Sequence, residues 1–202
     1  MSPGATFERV YNELKRMLGE GELPPGTPIE PALIGKQIAS SITPVRDALH
    51  RLTGERLVEA PNHNGFRVPL LTEAGLRNLY DWNGVVVRAA AKHGTLGLGE
   101  IERPISDADV PRCTAALFRD IADRTGSSEI IVAVGSLNDR LAPFRRAEVM
   151  ALGSGIGELI ELASVVAVGD RTALMGAITR YHRRRVAAVI RIVAQATNAL
   201  VK

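Results

Sequence analysis

Ser41-Ile42-Thr43-Pro44-Val45-Arg46-Asp47-Ala48-Leu49-His50-Arg51-Leu52 is the stretch from which the fold of this chain is read. Val45, Ala48, Leu49 and Leu52 fall at i, i+3, i+4 and i+7, the spacing that lines one face of an α-helix with apolar side chains. Arg46, Asp47, His50 and Arg51 face the other way. Thr43 is placed to cap the helix, its hydroxyl accepting from a free amide of the first turn. Pro44 then takes the first helical position, where its missing N–H has no partner to lose and its fixed φ suits the helix. Arg46 is thereby held outward near the start of a short rigid helix. A helix-turn-helix protein reaches base edges from that position.

The flanks agree. Leu33, Ile34 and Ile38 predict a short helix in PALIGKQIAS that ends near Ala39 or Ser40. Two short helices joined by a tight turn form a helix-turn-helix. Val10, Leu14, Met17 and Leu18 predict an earlier helix over Phe7–Glu20, broken by Leu23-Pro24-Pro25-Gly26. After the central helix, Leu57–Ala60 and Phe66–Val68 read as strands joined through Pro61-Asn62-His63-Asn64-Gly65. Asn64-Gly65 is a strong hairpin-turn dipeptide. The expected N-terminal domain, residues 1–71, is therefore three helices with a β-hairpin wing.

Composition sets the outer bounds. The chain has 202 residues and is 46% apolar, enough for one or two domains with a real core. Runs such as Ile130–Val134 are too short to cross a bilayer. MSPGATFERV lacks the basic-then-apolar pattern of a signal peptide, so a cytoplasmic protein that binds no membrane is expected. A single cysteine, Cys113, rules out an internal disulfide framework and a multi-cysteine zinc site. Net charge is +3, yet residues 1–72 hold eight Lys/Arg against eight Asp/Glu. A non-specific nucleic-acid binder shows a basic excess where it grips. DNA binding here must rest on a few placed residues in two copies.

From Thr72 onward the strand signals stop. Helices are expected over about Glu73–Gly94, Asp107–Arg124, Glu129–Met150, Ile156–Val168 and Arg171–Leu200. Ser106 with Asp109 resembles a capping box. Gly169 suits a helix end and Asp170 the cap of the last helix. The fold class is mainly α, a winged helix-turn-helix followed by an all-helical bundle over residues 72–202. An enzyme finds no support: HExxH, GxSxG and GxxxxGK[ST] are absent, and His50, His63, His93 and His182 lack metal-ligand spacing.

At this point the chain resembles the GntR family of regulators, through LPPGTPI, SITPVRDAL and the NGFRV wing. The helical remainder is similar to the FadR subfamily, whose effector domain is called FCD, through FRDIADRTGS, the VGD turn and TRYH. The resemblance implies a homodimeric transcription regulator, a repressor, on a palindromic double-stranded DNA operator, with a small-molecule effector bound in the helical domain. It implies DNA roles for Ser41, Thr43, Pro44 and Arg46 and for the wing tip at Asn64 and Gly65. His50 shares the exposed face, and Arg51, His63 and Arg67 are candidates for phosphate contacts. Ile42 and Ala32 stand where the family often has arginine.

The effector region departs further. Many FCD domains hold a divalent metal with one aspartate and three histidines. The corresponding positions here are Thr114, Phe118, Leu159 and His182, so neither a metal nor another cofactor is expected. An enclosed, apolar pocket lined by Phe118 and Leu159 is expected instead, with His182 nearby. Asn83 stands roughly where the family carries an effector-binding arginine. Arg140 and Arg145 lie on a middle helix, where a solvated face is the simpler reading and a cavity the functional one. His182 is either a bonded core histidine, the start of a solvated run His182-Arg183-Arg184-Arg185, or a polar anchor for an effector. A constitutive DNA binder without an effector is the competing reading.

Overall fold

A computed structural model of the chain describes residues 3–61, 65–97 and 109–198. It divides into two compact units, one formed by the residues up to Leu71 together with those from Ala196 onward, the other by Thr72–Gln195.

The first unit runs α1 (Pro3–Glu20), β1 (Pro28–Ile29), α2 (Pro31–Gln37), α3 (Ile42–Gly54) and β2 (Phe66–Arg67). Val10, Leu14, Met17 and Leu18 of α1 meet Val45, Ala48, Leu49 and Leu52 of α3 in one core, closed by Ile34, Ile38, Phe66 and Val68. Both helices form because their apolar residues recur every three or four positions and face each other.

The turn between α2 and α3 is tight for reasons visible in its backbone. The Ser40 amide donates to the Gly35 carbonyl at 2.8 Å. A Cβ on Gly35 would lie 2.8 Å from the Ser40 carbonyl oxygen, so only glycine permits this approach. Ala39 turns the chain with φ +50°, in the left-handed region. From α1, the Arg9 guanidinium donates to the Ile38 carbonyl at 2.9 Å and the Ala39 carbonyl at 3.3 Å, pinning the turn.

Two local expectations are corrected. The N-cap of α3 is Ser41, in an extended conformation and with no side-chain cap bond, so Thr43 and Pro44 both lie inside the first turn. Pro44 is harmless there, because no first-turn amide has an acceptor within the helix. The wing is also paired differently. β2 pairs antiparallel with β1, in the register Pro28↔Arg67 and Ile29↔Phe66. The expected strand Leu57–Ala60 reduces to one bridge, Glu59↔Arg67, closed by bonds of 2.8 and 2.9 Å. The Leu57 and Val58 amides instead turn back onto the Leu52 carbonyl at the end of α3.

The second unit contains α4 (Glu73–His93), α5 (Val110–Asp123), α6 (Ser128–Leu152), α7 (Ile156–Val168), α8 (Arg171–Ala187) and the start of α9 (Val189–Asn198). Helix α4 packs on α5, α6 and α8, and α7 packs on α5 and α8. Thr72, Asp109, Ser127 and Asp170 cap their helices, each accepting from a backbone amide three residues on. Gly169 ends α7 with φ +84°. Arg171 binds back to the carbonyls of Ala91, Lys92 and Gly94, covering the negative end of α4. The start near Asp107 and the Ser106 cap fall outside the described residues; Asp109 caps α5, with Pro111 in its first turn. The single C-terminal helix expected from Arg171 is broken at Ala188. Among the described residues no single helix is long and apolar enough to cross a membrane.

Candidate functional site

In the first unit, the buried stripe of α3 fixes what its other face presents. Ser41, Ile42, Thr43, Arg46, Asp47 and His50 are exposed, and Pro44 is half-buried. Among the described residues Arg46 makes no ion pair. Its guanidinium therefore stands ready to donate up to five N–H bonds from a rigid base. The His50 ring meets Phe66 edge-on at 5.0 Å and ties α3 to the ribbon.

Arg51 lies elsewhere. At about 100° per residue it is rotated about 140° from Arg46. Its guanidinium sits 4.1 Å from the centre of the Tyr11 ring and pairs with Glu8 at 3.2 Å and Glu55 at 3.3 Å. The Tyr11 hydroxyl donates to Glu55 at 2.8 Å. Burial, with the Glu55 bond, holds that phenol above its ordinary range. Arg51 thus braces α3 on α1 rather than sharing the face of Arg46. In the ribbon, Gly65 has φ +86° with open space around it, and Arg67 pairs with Glu59 at 2.8 Å. An exposed pair of this kind is worth at most about 1 kcal/mol, so an incoming phosphate can displace Glu59. Asn64 and His63 lie outside the described residues.

In the second unit, Asn83, Phe118, Leu159 and His182 are all buried, whereas Arg140 is only partly so. His182 belongs to the core and not to a solvated run. Its Nδ1 lies 2.8 Å from the Ile178 carbonyl, and its Nε2 lies 2.8 Å from Asn83 Oδ1. Burial foremost, with the positive charges of Arg185, Arg145 and Arg88, pushes the ring down to about 4, so it is neutral. A neutral imidazole that donates through Nδ1 carries a lone pair on Nε2. The Asn83 amide satisfies it in the orientation that turns Nδ2 toward the ring, which also gives a partner to an amide nitrogen that otherwise has none. Gly84 lets α4 and α8 approach here, since a Cβ would lie 3.2 Å from the His182 ring. Phe118 stacks on that ring at 5.8 Å.

These positions do not suit a metal. Thr114 donates to the Val110 carbonyl at 2.8 Å, Phe118 and Leu159 are apolar, and His182 has both nitrogens engaged. Among the described residues no three His, Cys, Asp or Glu side chains converge. The cleft beside His182, of about 130 Å³, is lined by Asp81, Arg88, Ile178, Thr179 and Arg183. It opens between α4 and α8. Phe118 and Leu159 are buried and do not line this cleft.

Two arginines for which a solvated face is the simpler sequence reading are buried. Arg185 is buried and donates to Glu148 at 2.9 Å and Glu158 at 2.7 Å, while Tyr80 donates to the other oxygen of Glu148 at 2.7 Å. Glu158 of α7 is part of this network. Arg145 is buried as well, with 2% of its surface exposed. Linear sequence gives no sign of either, because the compensating groups come from other helices.

Comparison with known proteins locates the similarity. Residues 6–68 match the family model of bacterial regulatory proteins, gntR family. The chain is 31% identical over 78 residues to the uncharacterized HTH-type transcriptional regulator YdhC of Bacillus subtilis, covering 39% of this chain and 35% of that protein. It is 32% identical over 71 residues to the HTH-type transcriptional repressor GlaR of Escherichia coli, covering 35% of this chain and 32% of that one. The chain thus spans about a third of the curated relatives it matches. Among solved structures, a putative transcriptional regulator GntR from Rhodococcus sp. RHA1 superposes with a TM-score of 0.75 at 18% identity, over 92% of this chain and 98% of that one. Escherichia coli McbR/YncC superposes with a TM-score of 0.65 at 18% identity, over 92% and 97%. At that identity the likeness is one of fold.

Proposed function

We propose that this chain, a GntR-family protein by its N-terminal unit, is a sequence-specific DNA-binding transcription regulator of the FadR type that acts as a repressor in the cytoplasm. The observation that carries this reading is the exposed Arg46, without an ion pair among the described residues, on a helix whose opposite face is wholly buried. Arg46 reads a base edge in the major groove, Ser41 and Thr43 approach the backbone at the start of α3, and the ribbon with Gly65 and Arg67 adds backbone contacts. A neutral N-terminal unit has little non-specific grip, so two copies on a palindromic operator supply the affinity, and the chain works as a homodimer. The helical unit responds to a small metabolite and needs no enzymatic chemistry to do so.

Arg46→Ala tests the reading. One bidentate arginine–guanine contact contributes about 1–3 kcal/mol, so two copies lose about 2–6 kcal/mol. An operator is first selected from random DNA with the wild-type chain. Gel shifts at fixed salt then compare the variant on operator and on unrelated DNA. Specific binding should vanish while the circular dichroism spectrum is unchanged. Equal operator affinity of variant and wild type refutes the role of Arg46.

A further inference from the structure

One large apolar side chain of α3 is left uncovered by the first unit. Ile42, the first residue of the helix, is 49% exposed, whereas Val45, Leu49 and Leu52 are all buried. Leu49 lies two turns further on and within about 20° of the same line along the helix, yet it is covered by the core and Ile42 is not. What Ile42 stands beside is Arg46. At about 100° and 1.5 Å per residue, Arg46 is about 40° around the helix from Ile42 and about 6 Å along it. Both side chains therefore open on the same side at the start of α3. Ser41 and Thr43, the polar neighbours on either side of Ile42 in sequence, are exposed as well. An isoleucine has no donor or acceptor in its side chain, so Ile42 cannot bind a phosphate or pair with the hydrogen-bonding groups of a base.

We infer that Ile42 is a second base-reading residue of this chain and that it selects thymine through the C5-methyl group. The inference deepens the DNA reading proposed above and rests on it. Among the groups that base pairs present in the major groove, the thymine methyl is the apolar one. Set against it, the Ile42 side chain removes apolar surface from water on both partners. Set against the amino group of cytosine or adenine, or against guanine O6 and N7, the same side chain displaces water from a polar group and returns no hydrogen bond. Ile42 thus favours one base and penalises the other three. The separation of about 6 Å from Arg46 corresponds to about two base steps of 3.4 Å. The thymine should therefore lie within about two base pairs of the guanine taken by Arg46, one polar and one apolar reading in each half-site. Covering one methyl group is worth about fourfold in affinity, hence roughly 15-fold for two copies on a palindrome.

Gel shifts of the full chain at fixed salt, on an operator selected by the wild type from random DNA, test this. Each thymine of the half-site is replaced in turn, symmetrically in both halves, by deoxyuracil. That base keeps every hydrogen-bonding group of thymine and lacks only the methyl. At one position the replacement should weaken wild-type binding by roughly 15-fold. Ile42→Ala, a change at an exposed position that should leave the circular dichroism spectrum unchanged, should bind the thymine operator more weakly by a similar factor. It should no longer distinguish thymine from uracil there. Ile42→Val keeps a branched apolar side chain and should keep the preference. A wild type indifferent to uracil at every position overturns the proposal, and so does an Ile42→Ala variant that retains the full preference for thymine. The two levels of the argument fail separately. A wild type that selects no operator removes the DNA reading itself, and this inference with it. An operator whose binding needs Arg46 but no thymine methyl overturns the role of Ile42 alone.

Discussion

Acidification below about pH 6.5 should destabilise the helical unit through His182. In the folded chain the ring is held at about 4, first by burial and then by Arg185, Arg145 and Arg88, against an ordinary value of 6.5. The Asn83 oxygen, 2.8 Å from Nε2, can accept from an imidazolium, but burial and three guanidinium groups oppose the charge. The unfolded chain therefore takes up a proton that the folded chain refuses. Stability is complete above about pH 6.5 and falls as pH drops toward the folded value. At about 1.4 kcal/mol per pH unit, the loss is about 2 kcal/mol at pH 5 and about 3 kcal/mol near pH 4. Urea unfolding followed by Trp82, the only tryptophan, reads the unit directly, since Trp82 adjoins Asn83 on α4. His182→Gln keeps a polar side chain and removes the titration. Between pH 7 and 5 the wild type should lose about 2 kcal/mol relative to that variant. Parallel curves for the two proteins would refute the argument that His182 is buried neutral.

Two substitutions probe close backbone geometry. Ala39→Gly should stabilise the first unit by about 0.5–1 kcal/mol in urea unfolding, because alanine at φ +50° is strained and glycine is not; a loss of stability would show that the turn is not strained. Gly84→Val should destabilise the helical unit by about 1–3 kcal/mol, since His182 is pinned by Ile178, Asn83 and Phe118 and cannot yield. Gly84→Ala should cost less, as alanine gains about 1 kcal/mol of helix propensity. If alanine gives that full gain, α4 and α8 are not held together at this point.

The winged motif was legible because its signals are local. The period of Val45, Ala48, Leu49 and Leu52 needs no distant partner to be read, nor do the cap at Asp170 and the end at Gly169. The errors arose where two local choices were equally good or where the partner was remote. Ser41 and Thr43 are both cap-forming residues, and a proline is equally tolerated at several first-turn positions. Pro28-Ile29 is too short for alternation and begins with a proline, so β1 was invisible until Phe66-Arg67 lay beside it. The break at Ala188 carries no glycine or proline to announce it. Arg51 looked like a neighbour of Arg46 until Tyr11 and Glu8 of α1 claimed it. Arg145, Glu148 and Arg185 look like ordinary surface charges in one dimension. Only the packing of α4, α6, α7 and α8 shows that they are buried.

The division of labour on α3 bears on how such a protein changes its target. Val45, Ala48, Leu49 and Leu52 hold the fold and touch only the core, while Ile42, Thr43, Arg46 and Asp47 are exposed. Substitutions at exposed positions of this kind usually alter stability by no more than about 0.5 kcal/mol. Under the DNA-reading role proposed for α3, the helix is a fixed mount carrying an interchangeable set of letters. A lineage can rewrite those four positions one at a time, passing through well-folded intermediates, while Gly35 and Ser40 keep the mount in register. His50 is the exception: its ring rests on Phe66, so it is the exposed position where a change of specificity would also disturb the wing.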